Sequence, residues 1–281
     1  MPELRSWIGR SRTVADDISL SMVRRIAGML DQDPDSYRHG SALPPHWFSL
    51  FFADAPRQSV LGPDGHPRKG EFLPPIPLPR RMGAGRRTRI NGVLHVGDAA
   101  TKIIEVAAIE PKQARTGQIV VLTMRQTIQA RGETLAVDEF DAVYREEVPP
   151  GAKTTSTPPL PAPQGADWSD EIPLDATLVF RYSAITWNAH RIHYDADYAR
   201  EQEGYPATVQ NGGLTMQLML DAVLKRAPGR LLGYTARLRR PLFVGQMMTI
   251  AGPAPTIGKV PVWAVSPDGA LAAEMELEFG A

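Results

Sequence analysis

Gly213-Leu214-Thr215-Met216-Gln217-Leu218-Met219-Leu220-Asp221-Ala222-Val223-Leu224 is apolar nearly all the way round a helical wheel, and Pro228-Gly229 ends it. A helix without a polar face has no stable place at a surface, so the chain around it has to supply a cover. On its C-terminal side the pattern reads as strands near 231–240, 246–251, 260–265 and 270–279, with Ser266-Pro267-Asp268-Gly269 turning the last pair. On its N-terminal side the chain reads as a strand at about 177–183 and a helical portion from 195 to 226. A buried helix covered by antiparallel strands is an α+β arrangement.

The first part of the chain repeats the plan. From Asp17 to Leu30, apolar residues at 18, 22, 23, 26, 29 and 30 have helical spacing behind an acidic cap, and from Thr88 to Glu147 the pattern changes to strands. Between the two parts, prolines at 149, 150, 158, 159, 161 and 163 among Thr, Ser, Gly and Ala make a stretch that cannot pack a core. The expected organisation is therefore 1–148, a linker 149–167, and 168–281. Each half is expected to wrap an antiparallel sheet round a long central helix, which is a double hot-dog. The segment from Leu61 to Met82, with its alternating prolines, is too long and too apolar for an ordinary loop. It reads equally as the lining of a groove or as a strap over one face of the first sheet.

Composition narrows the function. The 281 residues carry 31 Lys+Arg against 31 Asp+Glu, so no basic field exists for a nucleic acid. The absence of cysteine removes thiolate nucleophiles, disulfides and Cys-type metal sites. The start, Met1-Pro2-Glu3-Leu4-Arg5-Ser6-Trp7, lacks the apolar core of a signal peptide, and no apolar run reaches the roughly 18 residues of a membrane span. A cytoplasmic protein with no membrane partner is expected.

The densest polar cluster is Tyr182-Ser183-Ala184-Ile185-Thr186-Trp187-Asn188-Ala189-His190-Arg191-Ile192-His193-Tyr194-Asp195. With Tyr198-Ala199 and Asn211-Gly212-Gly213-Leu214-Thr215 after it, this stretch resembles the MaoC-like hydratase motif, in which an acid stands five residues before a histidine and a glycine opens the central helix. Pro44-Pro45-His46-Trp47, Leu61-Gly62-Pro63-Asp64-Gly65-His66-Pro67 and Pro77-Leu78-Pro79-Arg80-Arg81-Met82 resemble the amino-terminal domain of two-domain relatives. These include the methylfumaryl-CoA and itaconyl-CoA hydratases and the mitochondrial-type hydroxyacyl-thioester dehydratases.

The resemblance implies reversible hydration of an enoyl thioester. That chemistry needs a base for water, a proton for the α-carbon and donors for the developing thioester oxyanion. His193 suits the first task, and the amides at Gly212 and Gly213 suit the last, although a glycine pair also serves as a plain tight turn. Asn188 stands where simpler relatives carry aspartate and cannot shuttle a proton, so it is assigned to holding water or imidazole. His190 reads equally as a second titrating group or a structural histidine, and Asp195 as a helix cap. Arg191, Arg240, Arg80 and Arg81 are candidates for a substrate carboxylate or CoA phosphates.

No metal-ligand spacing, dinucleotide fingerprint or phosphate loop stands out, so no cofactor and no metal are expected beyond the CoA thioester itself. Two acyl substrates remain open: a short branched dicarboxylyl-CoA (methylfumaryl- or itaconyl-CoA), and a longer 3-hydroxyacyl thioester on CoA or acyl carrier protein. A hot-dog thioesterase generally carries a carboxylate on the first turns of the central helix, and here the first acid is Asp221. A non-catalytic interaction module is the alternative from another class, and a homodimer is allowed.

Overall fold

The computed structural model describes residues 2–68, 70, 72–114, 117–146 and 159–281. The first half holds α1 (Pro2–Arg5), β1 (Ser11–Asp17), α2 (Leu20–Met29), β2 (Arg80–Ile90), β3 (Ala99–Ala114), β4 (Gly117–Ala130) and β5 (Glu133–Arg145). The second holds β6 (Trp168–Pro173), α3 (Ala176–Ile185), α4 (Ala196–Glu201), α5 (Gly212–Leu224), β7 (Arg230–Leu238), β8 (Met247–Gly252), β9 (Gly258–Val265) and β10 (Leu271–Gly280). The strands form one sheet in the order β1-β3-β4-β5-β2-β7-β10-β9-β8-β6. Outward from its middle, β2-β5-β4-β3-β1 is repeated as β7-β10-β9-β8-β6, so two hot-dog units of equal topology are fused edge to edge. The seam is antiparallel pairing of Gly85 through Arg89 with Arg237 through Gly233. No helix is long and apolar enough to cross a membrane.

Helix α5 is buried as its composition demands, with Met216, Met219, Leu220 and Val223 packed against β7 to β10 and Leu214 in the cluster with α2 and α3. The expected strand at 177–183 is instead helix α3. Its aromatic and β-branched residues favour a strand, but the Asp175 side chain accepts the N–H of Leu178 as an N-cap, and Val179, Tyr182 and Ile185 are buried at a spacing of three. The helical portion 195–226 is two helices, α4 and α5, separated by a loop in which Val209 bridges to Phe243. The cap of α2 is Ser19, accepting from Met22, because Asp17 ends β1.

The two halves differ in what fills their concave faces. By position in the topology α2 corresponds to α3, and in the first half, where α5 has no helical counterpart among the described residues, the chain 72–79 packs on the sheet. The first sheet is therefore covered in two parts. One end, with Ala100, Ile128 and Ala136, packs under α2 and the segment carrying Trp47 to Phe52. The other, with Val106, Val120, Leu122 and Tyr144, packs under Ile76 and Leu78, so the proline-rich chain is a strap here. On the same face between these covers lie Arg86, Thr88, Lys102, Gln126 and Asp138, a polar band across four strands.

Most of the linker assigned to 149–167 lies outside the described residues. From 159 the chain is held to the second half, where Leu160 O accepts the N–H of Leu271 and Pro161 bridges to Ala270.

Candidate active site

The loop between α3 and α4 is folded on itself by local bonds. Asn188 N–H donates to Ser183 O (2.8 Å), Asn188 Oδ1 accepts the N–H of His190 (3.0 Å), and Asp195 caps α4 by accepting from Tyr198 (2.9 Å). This presents His193 with its Nδ1 2.7 Å from the carbonyl of Val209. A carbonyl only accepts, so Nδ1 carries the proton and Nε2 keeps its lone pair. Burial pushes the His193 imidazole down to about 4, against the opposing effect of that bond, which keeps the ring neutral at pH 7.

Val209 leads directly into the start of α5. Its N-cap residue Asn211 makes no side-chain bond to the helix and is engaged with Ser183 instead (3.3 Å), so the first amides of α5 are not taken up by a cap. At Gly213 a Cβ would stand 2.2 Å from the hydroxyl of Tyr182, so any side chain there has to displace that buried ring. The amides of Gly212 and Gly213 and the imidazole of His193 are thus joined through one short segment, 209–213, at the positive end of a 13-residue helix.

The first half contributes two residues for which the motif pattern assigns no role, Asp64 and His66. They sit in a tight turn where Gly62 N–H donates to His66 O (2.7 Å) and the Asp64 carboxylate faces both the N–H (3.0 Å) and Nδ1 (3.1 Å) of His66. The turn is pressed against the loop of the second half. Gly65, at φ +88°, approaches so closely that a Cβ would lie 1.9 Å from Ala189 O. The His66 ring packs 4.3 Å from that of His190, which lies 5.5 Å from that of His193. Burial would raise the Asp64 carboxyl, but the bonds from His66 outweigh it and hold it at about 2. Burial lowers His190 to about 3, helped by the neighbouring imidazoles. Asp64, His66 and His190 are, among the described residues, the group close enough to hold a metal ion. Asp-Gly-His in a turn is the signal the sequence carries for this group, but nothing local shows where that turn docks.

The arginine candidates scatter. Arg191 donates to Asp195 (2.7 Å) and to Pro63 O (3.1 Å), its own N–H donates to Asp64 O (2.9 Å), and its guanidinium lies over Tyr198, so it holds the turn to the loop. Arg240 pairs with Asp268 (2.8 Å) on the surface, and Arg80 with Glu203 (3.7 Å) across the two halves. Arg81 is exposed and bonds Tyr144. A largely buried cation near the helix start is Arg86, 16% exposed, facing Asp138 at 3.2 Å and within electrostatic reach of Tyr182 and Tyr234. Lys102 of the same band donates to Phe52 O (2.9 Å), and burial lowers it to about 8. Asp221 is committed to His46 of the first half at 3.0 Å.

The family model described as hydroxyacyl-thioester dehydratase type 2 matches residues 46–244. The mesaconyl-C(4)-CoA hydratase of Chloroflexus aurantiacus is 36% identical over 278 residues, covering 98% of this chain and 97% of that one. The mitochondrial hydroxyacyl-thioester dehydratase type 2 of Schizosaccharomyces pombe is 40% identical over 76 residues, 26% of this chain and 25% of that one. Among solved structures, a MaoC-like dehydratase from Phytophthora capsici superposes with a TM-score of 0.73 at 15% identity, covering 99% and 98% of the two chains. A Mycobacterium tuberculosis protein with a double hot-dog fold gives 0.58 at 12% identity, covering 96% and 95%.

Proposed function

The chain belongs to the hydroxyacyl-thioester dehydratase type 2 family, and from that premise we propose that it interconverts an enoyl thioester and its 3-hydroxyacyl counterpart, with His193 as acid/base and a short branched dicarboxylyl-CoA as substrate. The observation that carries this reading is the bond from His193 Nδ1 to Val209 O. It leaves a neutral Nε2 as base, beside the segment that opens into the uncapped amides of α5. Water loses a proton to Nε2 as its oxygen adds to C3, and the amides of Gly212 and Gly213 take the charge that gathers on the thioester oxygen. Asn188, oriented through His190 N–H, offers its amide to the attacking water. These steps use no cofactor.

The dicarboxylyl choice rests on the name of the Chloroflexus relative and on the polar band. Arg86 faces Asp138, which is 1% exposed, and Lys102 lies in reach of Asp54 and Asp138, so the band offers two cations to a substrate carboxylate. It is linked to the helix start by Tyr182, whose hydroxyl overhangs Gly213. A substrate whose thioester carbonyl sits on the α5 amides would meet this band after a few carbons. A free carboxylate is stabilised there, and a long alkyl chain is not. The test is a panel of methylfumaryl-, itaconyl-, crotonyl- and longer enoyl-CoA esters. Turnover confined to long chains would favour the fatty-acyl dehydratase reading instead.

A further inference from the structure

Hydration of an enoyl thioester needs two proton events, and His193 serves one of them. As the water oxygen bonds to C3, a proton passes to His193 and the C2=C3 electron pair moves towards C2 and the thioester oxygen. A second proton must then reach C2. The amide of Asn188 is no acid, and Asp195 is spent on Arg191 and the cap of α4.

The first half of the chain brings a group of the right kind. The Asp64–His66 pair has the form of an imidazole backed by a carboxylate, an arrangement that fixes one ring nitrogen as donor to the acid and leaves the other for chemistry. Three features hold it against the loop bearing His193: the Arg191 N–H to Asp64 O bond, the Arg191 guanidinium on Pro63 O, and the close approach of Gly65 to Ala189. A turn placed only for folding has no need of an imidazole packed on a second imidazole.

We propose that His66, oriented by Asp64, is the second proton-transfer group of the site, giving a proton to C2 in hydration and taking it back in dehydration. His190 lies between the rings of His66 and His193. After each turnover the partly exposed His193 releases the proton it took from water to solvent and His66 takes one up, so the balance closes with one water added and both imidazoles restored. This rests on the hydratase reading, and the test separates the two.

The full chain is assayed with an enoyl-CoA that the wild type hydrates, and in reverse with the 3-hydroxyacyl-CoA bearing deuterium at C2. His66→Gln is expected to lower kcat by about 10²- to 10⁴-fold with little change in KM. The isotope effect at C2 should rise above the wild-type value, because removal of that proton becomes the slow step. Asp64→Asn keeps an oxygen for the His66 N–H, so the turn survives while the charge facing the ring is lost, and a fall of about 10- to 100-fold in kcat is expected. The proposal is overturned if both variants stay within about threefold of wild-type kcat, or if their losses lie in KM alone with an unchanged isotope effect. A wild-type chain that hydrates no enoyl thioester would overturn the hydratase reading, and this one with it.

Discussion

The imidazoles of His66 and His190 pack 4.3 Å apart although they belong to different halves of the chain, so the site is assembled only when the halves dock. The seam β2–β7, the Arg80–Glu203 pair and the buried His46–Asp221 pair fix that docking at three further places. Fusion of two hot-dog units therefore supplies both the loop that bears His193 and the wall that faces it.

Asn188 distinguishes water positioning from proton transfer. Asn188→Ala should lose most of the turnover, since both the bond to His190 N–H and the amide disappear. Asn188→Asp should retain part of it, because the oxygen acceptor remains. Measured kcat values decide, and an alanine variant as fast as wild type would make the residue structural.

Selectivity for a dicarboxylyl thioester should follow Arg86. Removing Arg86 alone would take the guanidinium from the buried Asp138 and confound folding with selectivity, so the useful variant is Arg86→Met with Asp138→Asn. Its turnover of methylfumaryl- or itaconyl-CoA should fall at least about tenfold more than that of crotonyl-CoA. Arg191→Met should reduce both alike, because its partners are Asp195 and Pro63. Equal losses in the Arg86 variant would remove the band from substrate selection.

Gly213→Ala places a methyl group against the Tyr182 hydroxyl. Overpacking of this kind costs about 1–3 kcal/mol, and displacement of the helix start should also cost about 10²-fold in kcat. Adding Tyr182→Phe removes the clashing oxygen and should recover stability in a thermal melt. A single variant that melts like wild type would contradict the close approach.

Stability should depend on pH through the two buried histidines. His193 and His190 are held near 4 and 3, below the ordinary 6.5, so the unfolded chain takes up their protons first as pH falls. Their contribution is complete above about 6.5 and is lost as pH drops through 6.5 towards 4. The urea midpoint should therefore fall between pH 7 and pH 5, and His193→Gln should flatten the fall. Identical slopes for the two proteins would place the pH dependence elsewhere.

Helix α5 is legible in the sequence because an all-apolar run has one fate, and the turn 266–269 and the cap Asp195 because their signals are local. Helix α3 reads as a strand because the aromatic and β-branched content of 177–183 outweighs a single capping aspartate. Arg191 stands out through its place in the motif, yet its partners Pro63 and Asp64 lie in the other half, and no spacing rule reports such a contact. The same holds for His66. Chemistry shared between distant segments becomes visible only once the strap and the turn have been placed.

If His193 drives addition of water to an enoyl thioester, its removal must be felt in the mass of the product formed. Wild type and His193→Ala are incubated with methylfumaryl-, itaconyl- and crotonyl-CoA, and the products are followed by mass. The wild type is expected to yield a product heavier by one water from at least one ester, and the variant to be slower by about 10²- to 10⁴-fold with modest change in KM. A wild type that hydrates none of them, or a His193→Ala chain of near wild-type turnover, would refute the role of His193.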